Sequence, residues 1–370
     1  MDNKNEKTIS NNGKSKTAVY VWGGSIIFGL LFTLLIWLLG PNLNHFYAIL
    51  LPDQGSSWYF WKLPSREFWT MAIVWIFYLA NQFLIWGAIY WAQKNLTKEK
   101  ISPTNNLTKY NVFVLSVTVF FIFLHLIQTH IWFDGLAQDV PIFTSQGSVI
   151  LMLAIALVLL NPIQGLFLGK KAGKPFTARV TEFFRHTHMY IISWALIYTF
   201  WFHPMATDPQ LLTGFFFMFL LFTQMSLAYT KVHLDLRWIV VLESWVALHA
   251  VFVAVYNTIY FNSADMWPMF FSGFAFMFVF TYMYALNLKK SVRWLITAIY
   301  ILFVVFIYIP APYGFGRDPS FLLRLEFLWI PIVLYLLAAV LALVVFLWYK
   351  AKKLDDHEKG DVIGTTRTSK

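Results

Sequence analysis

Residues 110–133 read YNVFVLSVTVFFIFLHLIQTHIWF, and this apolar run decides the fold. About 20 mostly apolar residues in a helix cross a hydrocarbon layer of roughly 30 Å. Polar side chains are costly in such a run, and those that occur there usually face the interior of a helix bundle. From residue 121 to just after this run they are His125, Gln128, Thr129, His130, Asp134 and Asp139.

The composition of the whole chain is that of a membrane protein. Hydrophobic residues make up 59% of the 370 residues and charged residues 12%, whereas soluble domains have roughly 45–50% and about 25%. The absence of cysteine excludes disulfides, thiolate nucleophiles and cysteine-ligated metals. The net charge of +10 comes from lysines and arginines in short loops between apolar runs, which is typical of membrane topology and not of nucleic-acid binding.

Similar apolar runs recur along the chain and predict an all-α integral membrane protein, with about ten transmembrane helices in one polytopic bundle at residues 19–349. The runs are too long and too uniformly apolar for the strands of a membrane barrel. Residues 1–18 and 350–370 are expected to form cytoplasmic tails, the first of them disordered. The expected spans lie at about 19–39, 67–92, 110–133, 146–168, 183–203, 211–230, 237–258, 266–287, 292–310 and 321–349.

The basic residues alternate between successive loops. Lysine and arginine collect in both tails and in every second loop, whereas the intervening loops carry few basic residues and aspartates such as Asp53, Asp208 and Asp265. The positive-inside rule therefore places both termini in the cytoplasm of a cell-membrane protein. The longest outer loop, about residues 40–66, is a candidate for a lid over the bundle.

This topology assigns a depth to each polar side chain within a span. Glu243 is the only acid well inside a span, and a buried carboxylate either needs a partner or changes its protonation state. Arg185 is one candidate partner. The outer half contains His125, His130, His203 and His249, and the inner half contains His188 and Glu243.

Helix geometry divides the polar residues of the third span into two groups. At about 100° per residue, His125, Gln128 and Thr129 share one face. His130 points about 140° away from His125 and is expected to pair with Asp134, four residues further on. The two histidines are therefore not expected to hold one ion together.

The outer histidines predict a cofactor site. Neutral imidazoles are common ligands of haem iron and of transition metals. His125 and His249 are expected to hold a b-type haem or a metal, with His203 as a further ligand, in a redox protein that exchanges electrons with a quinone or an external partner. Histidines near span ends are equally well explained as interfacial residues. Residues expected to line the site or a proton path are Gln128, His130, Asp134, His188 and Glu243.

Two other functions stay open. In a proton-coupled secondary transporter, the ten spans would form two five-span halves of inverted topology, although no internal repeat is visible, and His125, Glu243 and His249 would form the proton path. In a membrane-embedded transferase that acts on a lipid-linked or extracellular substrate, His130 would be the general base and Asp134 would orient it. The sequence contains none of the short catalytic or phosphate-binding motifs that would distinguish these alternatives.

Overall fold

A computed structural model describes residues 16–51, 59–65, 67–96, 103–260 and 265–352. Within these ranges the chain is helical and forms no strand, so the predicted all-α fold is confirmed. Most of each predicted tail lies outside the described residues. The ten long helices are α1 (Thr17–Leu39), α2 (Phe68–Asn95), α3 (Lys109–Trp132), α4 (Phe143–Gln164), α5 (Ala178–Phe202), α6 (Pro209–Ser226), α7 (Leu236–Tyr260), α8 (Trp267–Phe280), α9 (Lys290–Tyr308) and α10 (Trp329–Ala351).

The helices that carry the candidate site begin at local capping signals. α3 follows Thr108, whose hydroxyl accepts from the backbone N–H of Asn111 while the Asn111 side chain accepts from the backbone N–H of Thr108. This reciprocal pair is a capping box. α6 begins with Pro209 after Asp208, whose carboxylate accepts from the backbone N–H of Gln210. Both caps satisfy helix N–H groups that would otherwise lack partners.

Nine helical segments among the described residues are long and apolar enough to cross a membrane. The chain is therefore a multi-pass membrane protein built as a helical bundle. The nine segments include every long helix except α5. α5 has 25 residues, but Arg179, Glu182 and Arg185 lie in its first two turns or so and make it less apolar. The total of ten spans stays a prediction.

α5 is enclosed by other helices along its second half and exposed in its charged first turns, where Glu182 pairs with Arg185. It packs against α2, α4, α6 and α10, and Ile197, Phe200 and Trp201 in its second half are fully buried. A helix enclosed by other helices presents little surface to lipid, so its polar groups can bond to neighbours instead. α1, α9 and α10 have many large apolar side chains on exposed faces, and these faces are suited to contact lipid.

One end of the bundle, where α3 and α5 end, is covered by short segments; it is called the site end below. Two short helices, Gly40–Leu43 and Asn44–Tyr47, follow α1, and the Tyr47 hydroxyl bonds to Thr207 just before α6. Residues 59–65 also contact this end. These are the described parts of the predicted lid, and residues 52–58 lie outside the described chain.

Candidate functional site

His125 is the centre of a polar network at the site end. Its side chain is fully buried against aromatic rings of α5. Its Nδ1 lies 2.9 Å from Gln128 Oε1, and its Nε2 lies 2.9 Å from the carbonyl oxygen of His203. Gln128 Nε2 donates to the carbonyl oxygen of Asp134, which leaves the amide oxygen facing the imidazole. A neutral imidazole has one N–H, so a second proton on the ring would complete the second hydrogen bond.

The network extends along the face of α3 that carries His125. Gln128 and Thr129 are also fully buried there. The Thr129 hydroxyl accepts from the backbone N–H of Met205 at 2.9 Å. These polar residues of α3 therefore bond to backbone groups of the loop between α5 and α6 and of the loop that follows α3 itself.

The chain turns sharply where α3 ends. Phe133 has φ 64° and ψ −59°, and the backbone N–H of Asp134 donates to the carbonyl oxygen of Trp132 at 2.8 Å. Residue 133 is thus the centre of a γ-turn with positive φ, a rare and strained conformation for a residue with a side chain. At Gly135 an added Cβ would stand 2.4 Å from the carbonyl oxygen of Phe202. The turn therefore holds the end of α3 directly against the end of α5.

The Asp134 side chain connects this turn to residues 59–65. Its Oδ1 accepts from the backbone N–H of Leu63 at 2.8 Å, and its Oδ2 accepts from Gln138 Nε2 at 2.6 Å. Burial raises the pKa of Asp134 from 3.8 to about 6, and these two hydrogen bonds oppose the rise. The carboxyl group is therefore able to exchange a proton in a mildly acidic medium.

The predicted pairing of His130 with Asp134 is wrong. His130 Nδ1 donates to the carbonyl oxygen of Leu126 in its own helix at 2.8 Å, and its Nε2 has no hydrogen-bond partner in the described part of the chain. The spacing of four residues brings side chains together only while the helix continues. α3 ends at Trp132 and the γ-turn follows, so Asp134 no longer lies one helical turn above His130.

His203 lies one residue beyond α5 and is close to two other histidines. Its Nδ1 lies 2.5 Å from the Tyr59 hydroxyl, and its Nε2 lies 3.4 Å from Ser145 Oγ. It is near enough to His125 and His249 for their charges to interact. Each of the three side chains in the Tyr59–His203–Ser145 series can donate and accept. Three of the four outer histidines therefore come together, and His130 does not join them.

His249 faces α6 from the neighbouring helix α7. Its Nδ1 lies 3.1 Å from the Thr213 hydroxyl. Its ring also lies against Gly214, where an added Cβ would come within 3.2 Å of the imidazole Cε1. The small residue at position 214 thus makes room for the ring between α6 and α7.

The contacts of these histidines bear on the predicted haem or metal. Both ring nitrogens of His125 already lie against protein oxygens, and one nitrogen of His249 is bonded to Thr213. No group of three or more histidine, aspartate or glutamate side chains in the described residues is placed to hold a metal ion. Ligation by His125, His249 and His203 stays a prediction, and the contacts of His125 do not favour it.

A second buried polar group surrounds Glu243, in the half of the bundle away from the site end. Both carboxylate oxygens of Glu243 lack a hydrogen-bond partner among the described residues, and so do the amide atoms of Gln164 and the hydroxyl of Ser244. Gln164, at the end of α4, lies beside Glu243, and Tyr282 is close enough for electrostatic interaction. Arg185, the expected partner, forms an ion pair with Glu182 instead.

His188 belongs to neither group. Its Nδ1 lies 2.8 Å from the carbonyl oxygen of Arg185 and 3.1 Å from that of Phe184, so the side chain bonds to its own helix. His233, in the loop before α7, lies near enough for their charges to interact. The sequence groups both histidines at the inner side of the bundle but assigns no role to His233, because it lies outside every predicted span.

Several side chains in these two groups had a weak signal in the sequence or none. Tyr59 and Ser145 were missed because a single tyrosine or serine near a span end is ordinary in membrane proteins. Gln164 had a weak signal, since it follows Asn161 and Pro162 at the end of an apolar run.

Comparisons with protein-family models, with curated proteins and with solved structures found no match.

Proposed function

We propose that the protein is a proton-coupled secondary transporter in which Glu243 carries the proton. The observation behind the proposal is its buried carboxyl group, which has no cation beside it among the described residues and only the amide of Gln164 as a neighbouring donor, with no hydrogen bond of normal geometry between them. Moving an isolated carboxylate into an apolar environment is so costly that such a group keeps its proton instead. A carboxyl group that releases this proton only when the surroundings rearrange couples proton movement to a conformational change.

The distribution of basic residues between loops supports a proton path with titratable side chains at two depths in the membrane. We infer from the positive-inside rule that both termini are cytoplasmic and that the chain has ten spans, so α7 runs outward. Glu243 and His249 lie 7 and 13 residues after Leu236, the first residue of α7, or about 10 Å and 20 Å along the axis. Glu243 lies beside α4 and His249 beside α6. One helix thus carries a titratable group in each half of the membrane.

The backbone near Glu243 is irregular in a way that suits a transport site. α8 has 14 residues and reaches the length of a span, 19 residues, only together with the following 3₁₀ helix Tyr282–Ala285. It ends at Phe280, whose carbonyl oxygen accepts from the backbone N–H of Leu168 at 2.7 Å. The Thr281 hydroxyl donates to the carbonyl oxygen of Leu166 at 2.9 Å. Interrupted helices beside ionisable residues are the usual construction of transporter binding sites.

The outer network supplies proton-exchanging groups for the other side of the membrane. Asp134 has a pKa of about 6 because of its burial. Burial also raises the pKa of Tyr59 well above its ordinary value, so this phenol keeps its proton while bonded to His203. In the proposed cycle, protons enter here and leave past Glu243.

Two measurements test the role of Glu243. Infrared difference spectra of the reconstituted protein should contain a pH-dependent carboxylic-acid C=O band that is missing in Glu243→Gln. Liposomes loaded with a pH-sensitive dye should acidify when pools of amino acids, sugars, nucleosides or small carboxylic acids are added on the opposite side. Glu243→Gln should abolish that acidification, because an amide cannot carry the proton.

The matched control is Glu182→Gln, because Glu182 is exposed and paired with Arg185 on the surface. It should leave both the infrared band and proton movement unchanged. Coupled proton movement of wild-type size in Glu243→Gln would contradict the proposal. A haem absorption band that is lost on replacing His203 or His249 would favour the redox alternative instead.

A further inference from the structure

Basic residues from two separate loops meet at the end of the bundle where α9 begins. The loop after α4 makes a tight turn, in which the backbone N–H of Leu166 donates to the carbonyl oxygen of Lys170 at 2.9 Å. An added Cβ at Gly169 would stand 2.7 Å from Cδ1 of Tyr284. The guanidinium carbon of Arg293, in the first turn of α9, lies 5.0 Å from the centre of the same tyrosine ring. The turn that carries Lys170 therefore lies beside the beginning of α9.

The positive charge of these two segments has no acidic residue near it in the sequence. Residues 140–181 and 266–317 contain neither aspartate nor glutamate. Lys170, Lys289 and Lys290 have exposed side chains. The two lysines at 289 and 290 stand at the start of a helix that is apolar and long enough to cross a membrane, so their charges lie at the level of the lipid headgroups.

An apolar groove runs between α8 and α9 on the same side of the bundle. Its volume is about 200 Å³, which is less than the roughly 300–1,000 Å³ of pockets for compact ligands. Ile299 lines the groove and is 57% exposed, so the groove opens outward to lipid. The other lining residues are Phe271, Ala275 and Val279 of α8 and Ile296, Tyr300 and Phe303 of α9.

The groove accepts hydrocarbon and offers no polar group. Tyr300 is the one lining residue with a polar side chain, and its hydroxyl donates to the carbonyl oxygen of Ser272 at 3.2 Å. A narrow, open and wholly apolar groove at membrane depth fits a single acyl chain better than a compact polar molecule.

The first turns of α9 join the basic residues to the groove. At about 100° per residue, Lys289, Arg293, Ile296 and Tyr300 lie within about 60° of one another around the helix. Arg293 is three residues before Ile296, or about 4.5 Å along the axis. Helical side chains lean toward the N-terminus of their helix, so the guanidinium of Arg293 extends from the mouth of the groove toward the membrane surface.

The stacking of Arg293 on Tyr284 prepares the guanidinium for an anion. A cation above an aromatic ring is attracted by the ring, and this contact limits the positions that the long side chain can take. The planar guanidinium keeps N–H groups that match the oxygens of a phosphate in pairs. A molecule with a phosphate head and an attached apolar chain would therefore contact both parts of the site.

We propose that Lys170, Lys289, Lys290 and Arg293, together with the groove between α8 and α9, bind an anionic phospholipid. The basic side chains hold its phosphate, and one of its acyl chains lies in the groove. The proposal concerns binding only, and it is independent of the role of Glu243 because the site shares no residue with the Glu243 group or the site-end network.

Photolabelling of the full chain in phosphatidylcholine vesicles tests the site. The probe is a small fraction of phosphatidylglycerol with a diazirine in one acyl chain, and labelled residues are mapped by mass spectrometry. We expect adducts on α8 and α9 along the groove, about tenfold more than with a phosphatidylcholine probe that has the same chain. Excess inorganic phosphate should not displace the lipid, because phosphate has no chain to occupy the groove.

A charge variant tests the headgroup contacts. Lys289→Gln together with Arg293→Gln should lower labelling of the groove by phosphatidylglycerol about tenfold or more, because each basic residue near the headgroups adds to the attraction of an anionic lipid. The matched control is Lys109→Gln together with Lys231→Gln, which removes the same charge at exposed positions on other helices. Both double variants should unfold thermally close to wild type, since the lysines are exposed.

A second pair of variants tests the groove itself. Ala275→Phe places a ring in the groove and should remove most of the label from its walls. Ala298→Phe is the control, since Ala298 is exposed on α9 but does not line the groove. Equal labelling of the groove by the two lipid probes, equal loss in the two charge variants, full labelling of Ala275→Phe, or displacement by inorganic phosphate would each overturn the proposal.

Discussion

Replacing His125 by leucine should destabilise the bundle far more than the same change at His130. His125 contacts two buried oxygens, Gln128 Oε1 and the carbonyl oxygen of His203, and leucine can bond to neither. A neutral imidazole donates to only one of them, and a buried acceptor left without a donor costs about 1–3 kcal/mol, so His125→Leu should lower the free energy of unfolding by about 1–3 kcal/mol. Leucine is apolar and of similar size, so the lost hydrogen bond accounts for most of the effect.

The control lies on the same helix. His130 bonds only to a carbonyl oxygen of its own helix, and its second ring nitrogen has no partner among the described residues. His130→Leu should therefore change stability by less than about 1 kcal/mol. Both variants are compared in detergent micelles by circular dichroism during denaturant unfolding. If His125→Leu is no less stable than His130→Leu, the contacts assigned to His125 do not hold α3 and α5 together.

Two further variants test the turn after α3. Asp134 has a pKa of about 6 in the folded chain against an ordinary value of 3.8, so the folded state holds the carboxyl proton more tightly than the unfolded state. This contribution to the free energy of unfolding is fully present below pH 4 and should fall by about 3 kcal/mol as the pH rises through 6. Asp134→Asn should remove this slope in unfolding curves between pH 4 and pH 7, and an unchanged slope would exclude Asp134 as its source. Gly135→Ala should cost about 1–3 kcal/mol or more, because its Cβ would meet the Phe202 carbonyl oxygen. Gly147→Ala is the control, since its Cβ has open space, and equal melting temperatures for the two alanine variants would refute the close approach.

The helical bundle could be predicted because run length and hydropathy are properties of the chain itself. An apolar stretch of about 20 residues has few stable alternatives to a helix in lipid. The common face of His125, Gln128 and Thr129 could also be derived, since it depends only on the 100° rotation per residue. The predicted span at 183–203 leaves out the first turns of α5, where Glu182 and Arg185 pair on the exposed surface.

The partners of the polar residues could not be predicted in the same way. The expected bond between His130 and Asp134 assumed that α3 continues through residue 134, and a γ-turn at Phe133 removes that assumption. Such a turn has no clear sequence signature, because its positive φ is imposed by tertiary contacts. The neighbours of His203 come from residues 59 and 145, which are distant in sequence and have ordinary composition.

Burial depth alone does not distinguish a structural from a functional role for a polar residue in this bundle, and the proposal for Glu243 depends on its hydrogen bonding instead. His125 and Glu243 are both buried inside long apolar helices. The ring nitrogens of His125 both face protein oxygens, so the side chain serves to join two helix ends even without any other role. Glu243 has no such partner among the described residues. A stable fold does not retain an unpartnered carboxyl group for packing, since an apolar side chain of the same size would cost less. The proposed function accounts for this group by the proton that it would bind and release.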